Sequence, residues 1–321
     1  MRAALYETTG PSSVLEVREI DRPEPGPGEV RVRIEASGIN PTDWKTRAGM
    51  TARPIDGFQV PHHDGVGVID AVGEGVTDGR IGQRVWTYMA AFGNRWGTAA
   101  QWSVIPEDRA MPLAPQAPAS LGACLGVPAL TAHHCLFADG PVSGKTVLVA
   151  GGAGAVGHYA IELAKHAGAM VVTTVSGDAK AALAKAAGAD VIVNYREEGA
   201  AERIREQAGQ VDRIIEVDLT RNLPLDLAVL RPGGEIICFA AGPQDPTLPV
   251  RACMGANLLL RFVLLYGVRR DVLAAGAELI SELVAAGKLT SLPTQEFALD
   301  DIAAAQDAVA AGATGKVLVI P

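Results

Sequence analysis

The sequence predicts an α/β protein of two domains, a doubly wound parallel sheet and a smaller β domain of barrel-like character. Three observations predict it. From about residue 146 onward, compact apolar strands alternate with amphipathic helices, the pattern of a parallel sheet covered by helices on both faces. A glycine-rich turn, GGAGAVG (151–157), joins the first of those strands directly to its helix. The first hundred or so residues instead break into short strand-like runs between Gly and Pro turns, as small β domains do. A chain of 321 residues, 48% of them hydrophobic, is long enough for about two domains and for a core that needs no disulfide or metal staple.

The elements follow in order. PEPGPGE is a loop, and EVRVRIEASGI (29–39) after it alternates with the period of a half-buried strand. GVGVIDAVGEGV (65–76), RIGQRVWTYM (80–89) and QWSVIPEDRAMPLAP (101–115) supply three more strand regions, the last decaying into a Pro-rich run. Near residue 120 the character changes: ASLGACLGVPALTAHHCLF is helix-like and TVLVAGG (146–152) is a strand. HYAIELAKHAG, MVVTTVS, DAKAALAKAAG, DVIVNY, RIIEVD, LPLDLAVL and EIICFAAG continue the alternation. AAGAELISELVAAG (274–287) is a helix, LPTQEFALDDI holds a strand, DIAAAQDAVAAG is a helix, and KVLVI closes the chain. No internal repeat or low-complexity linker interrupts it.

Composition excludes several classes. With 28 Lys+Arg against 36 Asp+Glu the net charge is −8, a poor footprint for nucleic-acid binding. The four cysteines (Cys124, Cys135, Cys238, Cys253) form no CxxC pair, which argues against a zinc ribbon or a dithiol redox site. The apolar run NLLLRFVLLYGV (257–268) has Arg261 in its middle and is too short to span a bilayer as a helix. The N-terminal residues turn polar at once and show no h-region. A reducing, cytoplasmic location is the expectation.

The glycine turn carries the chemistry. A strand, a Gly-rich loop and a helix in immediate succession form the context in which a dinucleotide fingerprint is credible. Glycines let the backbone approach a pyrophosphate, and the helix N-terminus favours its charge. The second strand, where an acid selects NAD, ends at Ser176-Gly177 without one; Asp178 and Lys180 follow. A missing carboxylate with a nearby lysine favours the 2′-phosphate of NADPH. The other reading makes Asp178 a helix cap and Lys180 a solvated charge.

Over essentially its whole length the chain resembles the zinc-independent medium-chain dehydrogenases/reductases of the quinone oxidoreductase (zeta-crystallin-like) family. MRAALYETTGPSSVLEVREI, ASGINPTDWKTRAG, PHHDGVGVIDAVGEGV, GVPALTAHHCLF, GGAGAVGHYAIELAKHAGA, LAKAAGADVIVNYRE and GATGKVLVI carry the resemblance. It implies a Rossmann NADPH-binding domain over 121–267 and a GroES-like β-barrel catalytic domain over 1–120 and 268–321. It also implies cofactor contacts. Ala153, Gly154, Ala155, Val156 and Gly157 match the pyrophosphate loop, and Ser176, Lys180 and Tyr195 match the adenosine-phosphate pocket. A half-buried strand residue is the plainer reading of Tyr195. Asn222 is similar to an Asn of the zeta-crystallin branch. Phe239, Ala240, Ala241 and Gly242, with Val263, Leu264 and Leu265, fall where the family wraps the nicotinamide side, which Thr131 faces. Asn40 adjoins the cofactor, and Lys45 stands where the family often has Tyr.

Zinc-dependent relatives place a Cys ligand where this chain has Asn40, a His where it has His63-Asp64, and a second Cys near Val127. Neither an amide nor Val replaces a thiolate at tetrahedral zinc, and the four-Cys lobe of those relatives is missing, so no metal is expected. Without a Lewis acid, the chemistry left is hydride transfer to an acceptor that is already electrophilic, a quinone or conjugated enone. Asn40 is the candidate donor to the developing oxyanion. Asp43 orients its loop or Lys45, or is simply a helix N-terminal residue. Water supplies the proton, and His62 and His63 have no assigned role. An enoyl reductase for thioester or polyketide intermediates and a non-catalytic NADPH-binding protein are the alternatives. Loops 50–60 and 88–98 are expected to shape the substrate pocket, and 257–268 to join two chains as a homodimer.

Overall fold

The computed structural model describes residues 1–51, 54–242 and 244–321; residues 52 and 53, in the loop expected to shape the substrate pocket, lie outside them. The chain forms two compact units, Met1–Val127 with Ala277–Pro321, and Pro128–Gly276.

The first unit opens with an antiparallel pair, β1 (Arg2–Leu5) and β2 (Glu16–Glu19). β3 (Glu29–Gly38) leads into α1 (Pro41–Arg47). β4 (Asp64–Val72), β5 (Arg84–Thr87), β6 (Trp102–Pro106) and β7 (Ala110–Pro112) follow. β3 pairs along one edge with β4 and along the other with β6. Val30, Val32 and Ile34 are buried while Glu29, Arg33 and Glu35 stay accessible, as the alternation suggested, and the strand becomes fully buried only at its Ala36–Gly38 end. Arg31, buried on the face opposite Val30 and Val32, is accommodated by ion pairs to Asp70 at 2.8 Å and Glu24 at 2.7 Å, as a buried charge requires.

α2 (Ala119–Phe137) runs through the boundary between the units. It is long and apolar enough to cross a membrane, yet 72% of that stretch is buried within the protein, so it is a core helix. Its first half belongs to the first unit because Gly122 and Gly126 bring its backbone against Val66 and Asp64. The boundary accordingly falls after Val127, not at 120.

The second unit alternates β8 (Thr146–Ala150), α3 (Ala155–His166), β9 (Met170–Val175), α4 (Asp178–Ala186), β10 (Val191–Asn194) and α5 (Ala200–Ala208). β11 (Val211–Glu216), α6 (Leu219–Val229), β12 (Leu230–Cys238), α7 (Val250–Gly255) and β13 (Leu259–Phe262) complete it. All its strand pairs are parallel, in the order β10-β9-β8-β11-β12-β13. Strand order reverses between β8 and β11, and the crevice outside the carboxyl ends of strands at such a point is where open α/β sheets bind ligands. Arg213, fully buried on β11, pairs with Glu235 at 2.7 Å and donates to the carbonyls of Leu136, Asp139 and Gly140. It thereby satisfies the end of α2.

α8 (Arg270–Ala285), β14 (Thr294–Ala298), α9 (Ile302–Ala310) and β15 (Lys316–Ile320) close the chain. The second boundary falls after Gly276 rather than at 267, because the start of α8 packs there: a Cβ at Gly276 would lie 2.7 Å from the His133 ring. β15 pairs with β3 beyond β6, completing a seven-stranded sheet in which β14-β15-β3-β4-β5-β7 form one path and β6 pairs with β3 off it.

Candidate cofactor and active site

In the second unit the expected cofactor residues, apart from Thr131 on α2, sit at the carboxyl ends of the parallel strands or on the helices that follow. After β8 the chain turns through Gly151 to Gly154 into α3. A Cβ on Gly152 would lie 2.1 Å from the Thr173 hydroxyl, and one on Gly157 would lie 2.4 Å from the Gly151 carbonyl oxygen. Only glycine permits that approach of helix to strand. α3 begins at Ala155, and Gly154 before it supplies no side-chain cap, so the N–H groups of its first turn remain for an anion. Ala153 is buried while Gly154 is exposed at the tip.

Ser176 follows β9 and Tyr195 follows β10, side by side because Val175 and Asn194 are register partners. Tyr195 is 46% exposed, so it is not the half-buried strand residue of the plainer reading. Lys180 lies exposed in the first turn of α4. Phe239–Gly242 follow β12, and Val263–Leu265 follow β13, with Leu264 exposed and Leu265 buried. Thr131 is buried on α2. Asn222, on α6, donates from Nδ2 to Glu216 Oε1 at 2.8 Å. Glu216 is itself fully buried beside Asp226, and burial raises the pKa of both carboxyls, each acting on the other. Sequence inspection missed that acid pair, since nothing local marks it.

In the first unit, Asn40 and Asp43 belong to one buried polar cluster. Asn40 precedes α1, and Asp43 at the third helical position accepts the Asn40 backbone N–H at 2.6 Å, one half of a capping box. The Asn40 side chain is free for other partners: Nδ2 donates to Asp64 Oδ2 at 2.6 Å and Oδ1 accepts from Lys316 Nζ at 2.8 Å. Asp64 Oδ1 accepts the Val127 N–H at 2.8 Å; a Cβ on Gly126 would lie 2.1 Å from that oxygen, so glycine lets α2 come this close. Burial pushes the Asp43 carboxyl up to about 8 and that of Asp64 to about 6, against the pull of Lys316 on both.

Asp43 Oδ1 lies 3.9 Å from His63 Nε2. Asp43 therefore meets the Asn40 backbone and His63, whereas Lys45, expected as its partner, stands with Nζ 5.9 Å from the Trp44 ring centre. His62 is spent structurally. Gln306 Nε2 donates to its Nε2 at 3.1 Å, which leaves Nδ1 to donate to the Ser37 hydroxyl at 2.9 Å. Ser37 meets Thr98 at 2.7 Å, and Thr98 donates to the Asp64 carbonyl at 2.6 Å. Burial lowers the His62 pKa to about 3, so this imidazole is neutral.

The residues present do not fit a tetrahedral zinc. The Asn40 amide is committed to Lys316 and Asp64, the Val127 position offers only a backbone N–H, and among the described residues no group of three His, Cys, Asp or Glu is disposed to hold a metal. A nicotinamide dinucleotide does fit the glycine-lined, uncapped start of α3.

Residues 26–115 match the alcohol dehydrogenase GroES-like domain, and residues 155–282 match the zinc-binding dehydrogenase domain. The 2-haloacrylate reductase of a Burkholderia species is 30% identical over all of this chain and 99% of its own. The quinone oxidoreductase of Homo sapiens is 28% identical over all of this chain and 98% of its own. Among solved structures, Escherichia coli quinone oxidoreductase complexed with NADPH superposes with a TM-score of 0.87 at 25% identity, covering both chains fully. An NAD-dependent alcohol dehydrogenase superposes at 0.90 with 27% identity, also over both full chains.

Proposed function

The chain belongs to the quinone oxidoreductase family of medium-chain dehydrogenases/reductases and is an oxidoreductase, and on that premise we propose that it reduces a quinone or conjugated enone with NADPH. The observation that carries the reading is the start of α3, glycine-lined and without a side-chain cap. NADPH is preferred over NADH on this reading because β9 ends without an acid while Lys180 and Tyr195 stand exposed beside Ser176. The chemistry is zinc-independent, which the donor set around Asn40 supports. Similarity to a reductase named for a haloacrylate, a conjugated acid, supports an activated carbon–carbon double bond as acceptor.

When bound, NADPH supplies the hydride. The N–H groups at the start of α3 hold the pyrophosphate, and Ser176, Lys180 and Tyr195 hold the 2′-phosphate. Asn40 presents the second hydrogen of Nδ2 to the acceptor oxygen as negative charge develops there. Asp43 holds the Asn40 backbone at the head of α1. The proton that completes the reduction comes from water. The four cysteines are free thiols, which supports a reducing, cytoplasmic location, and the exposed edge at β13 supports a homodimer.

NADPH consumption with a panel of quinones, enones and enoyl thioesters tests the reading. Turnover of the first two classes is expected. Turnover of thioesters alone would replace it with an enoyl reductase, and NADPH binding without any turnover with a binding protein. Elemental analysis of the purified chain is expected to find no stoichiometric zinc.

A further inference from the structure

We infer that Lys316 is a positioning residue for this reduction: its ammonium holds the Asn40 amide in the one orientation that turns Nδ2 toward Asp64 and the substrate oxygen. The inference rests on the function proposed above.

Strand register brings the two residues together. β15 runs antiparallel to β3 with Leu318 opposite Gly38 and Val319 opposite Ser37, and the Ile39 N–H donates to the Val317 carbonyl at 3.0 Å. Continued past the strand ends, that register sets Lys316 across from Asn40. On the other edge of β3, Asp64 pairs with Gly38. One strand end and two strand starts therefore meet at a single buried point. Lys316 is 4% exposed there, and Nζ donates to the Ile39 carbonyl at 3.0 Å and to Asn40 Oδ1 at 2.8 Å.

Donor and acceptor inventory then decides how the amide sits. An ammonium only donates and a carboxylate only accepts. With Lys316 on one side and Asp64 on the other, Asn40 must face the lysine with its oxygen and the aspartate with its nitrogen. The flipped amide would set N–H against N–H and oxygen against oxygen, leaving buried groups unpaired. The charge of Lys316 also acts on the two buried carboxyl groups of the cluster, Asp43 and Asp64, and on the neutral His62. The other buried cation nearby, Arg47, is turned away, donating to Gln306 and to the Gly10 carbonyl. The cluster thus carries its own cation, at the start of the last strand, where zinc-dependent relatives use a metal beside the position of Asn40.

The test compares Lys316→Met, Lys316→Arg, Asn40→Ala and the Asn40→Ala/Lys316→Met double variant with the wild-type protein. Lys316→Met is expected to lower kcat for the enone or quinone by ~10–100-fold, the scale of a misplaced catalytic contact, while NADPH affinity is unchanged. Lys316→Arg, which still donates, should recover much of the loss. In the Asn40→Ala background the lysine change should cost less than about twofold, because residues acting as one unit are not additive. A readout that needs no turnover is the side-chain amide NMR signal of Asn40: two distinct, exchange-protected protons in the wild type, unprotected in Lys316→Met. Should the methionine variant not fold, Lys316→Arg and Asn40→Ala carry the same comparison. If the wild type reduces no acceptor, the functional reading fails while the amide signals still decide the role of Lys316. Unchanged amide signals in Lys316→Met, or fully additive losses in the double variant, would overturn the inference.

Discussion

Asp43 shows how one buried carboxyl ties pH to stability. Burial, with the charge of Asp64 added, lifts it from an ordinary carboxylate value to about 8 against the pull of the Asn40 N–H. A carboxyl raised on folding favours the protonated native state. Its contribution is fully present below about 4 and is lost as pH rises through about 8. Thermal melts should therefore show the wild type losing stability from pH ~4 to pH ~8 and levelling above it, while Asp43→Asn runs flatter across the same window. Parallel curves would show that the carboxyl titrates normally. Lys180 offers a second test at this scale. Because it stands in the first turn of α4 beside Ser176, Lys180→Ala should weaken NADPH binding about tenfold, equivalent to ~1.4 kcal/mol, and leave NADH binding unaltered in calorimetric titration. Equal losses for both cofactors would place the lysine away from the 2′-phosphate.

Among the elements, the β8–α3 turn has little tolerance for a side chain. Its glycines serve approach rather than flexibility, since a Cβ on Gly157 meets the Gly151 carbonyl at 2.4 Å and the Gly152 α-carbon at 2.8 Å. Both obstacles are backbone, so neither can rotate aside. Gly157→Ala is expected to destabilise the protein by ~1–3 kcal/mol, the usual cost of overpacking, and to weaken cofactor binding in the same step. Thermal melting and titration calorimetry together check it. Unaltered binding in a folded variant would mean the pyrophosphate lies elsewhere.

Over the whole molecule, six of the eleven exposed large hydrophobics among the described residues fall in one stretch. Leu248, Val250, Met254, Leu259, Phe262 and Leu264 all lie between 248 and 264, and the last three are 59%, 66% and 70% exposed. β13 among them is an edge strand of the parallel sheet, with backbone groups on its outer side suited to pairing. An isologous contact across this edge would cover both liabilities at once. Light scattering should find a species near twice 33.3 kDa, and Phe262→Lys should convert it to the monomer. A wild-type monomer at micromolar concentration would remove the proposal.

The sequence by itself determined whatever depends on near neighbours. The alternation of strands and helices, the glycine turn and the bare tip of β9 at Ser176 were all legible from spacing, because their physics operates within a few residues. The six-stranded parallel sheet follows from that local pattern. The active-site cluster does not. Asn40 and Asp43 were recognisable, but the partners that decide what Asn40 does are Asp64 and Lys316, 24 and 276 residues away. Gln306, which keeps His62 as a structural imidazole, is 244 residues from it. No local period encodes such contacts. The Lys316 contact exists because β15 returns to pair with β3 in one register, and a shift of one residue would turn Lys316 to the other face of the sheet. Tertiary pairing alone decided that a lysine near the C-terminus supplies the cation of this cluster.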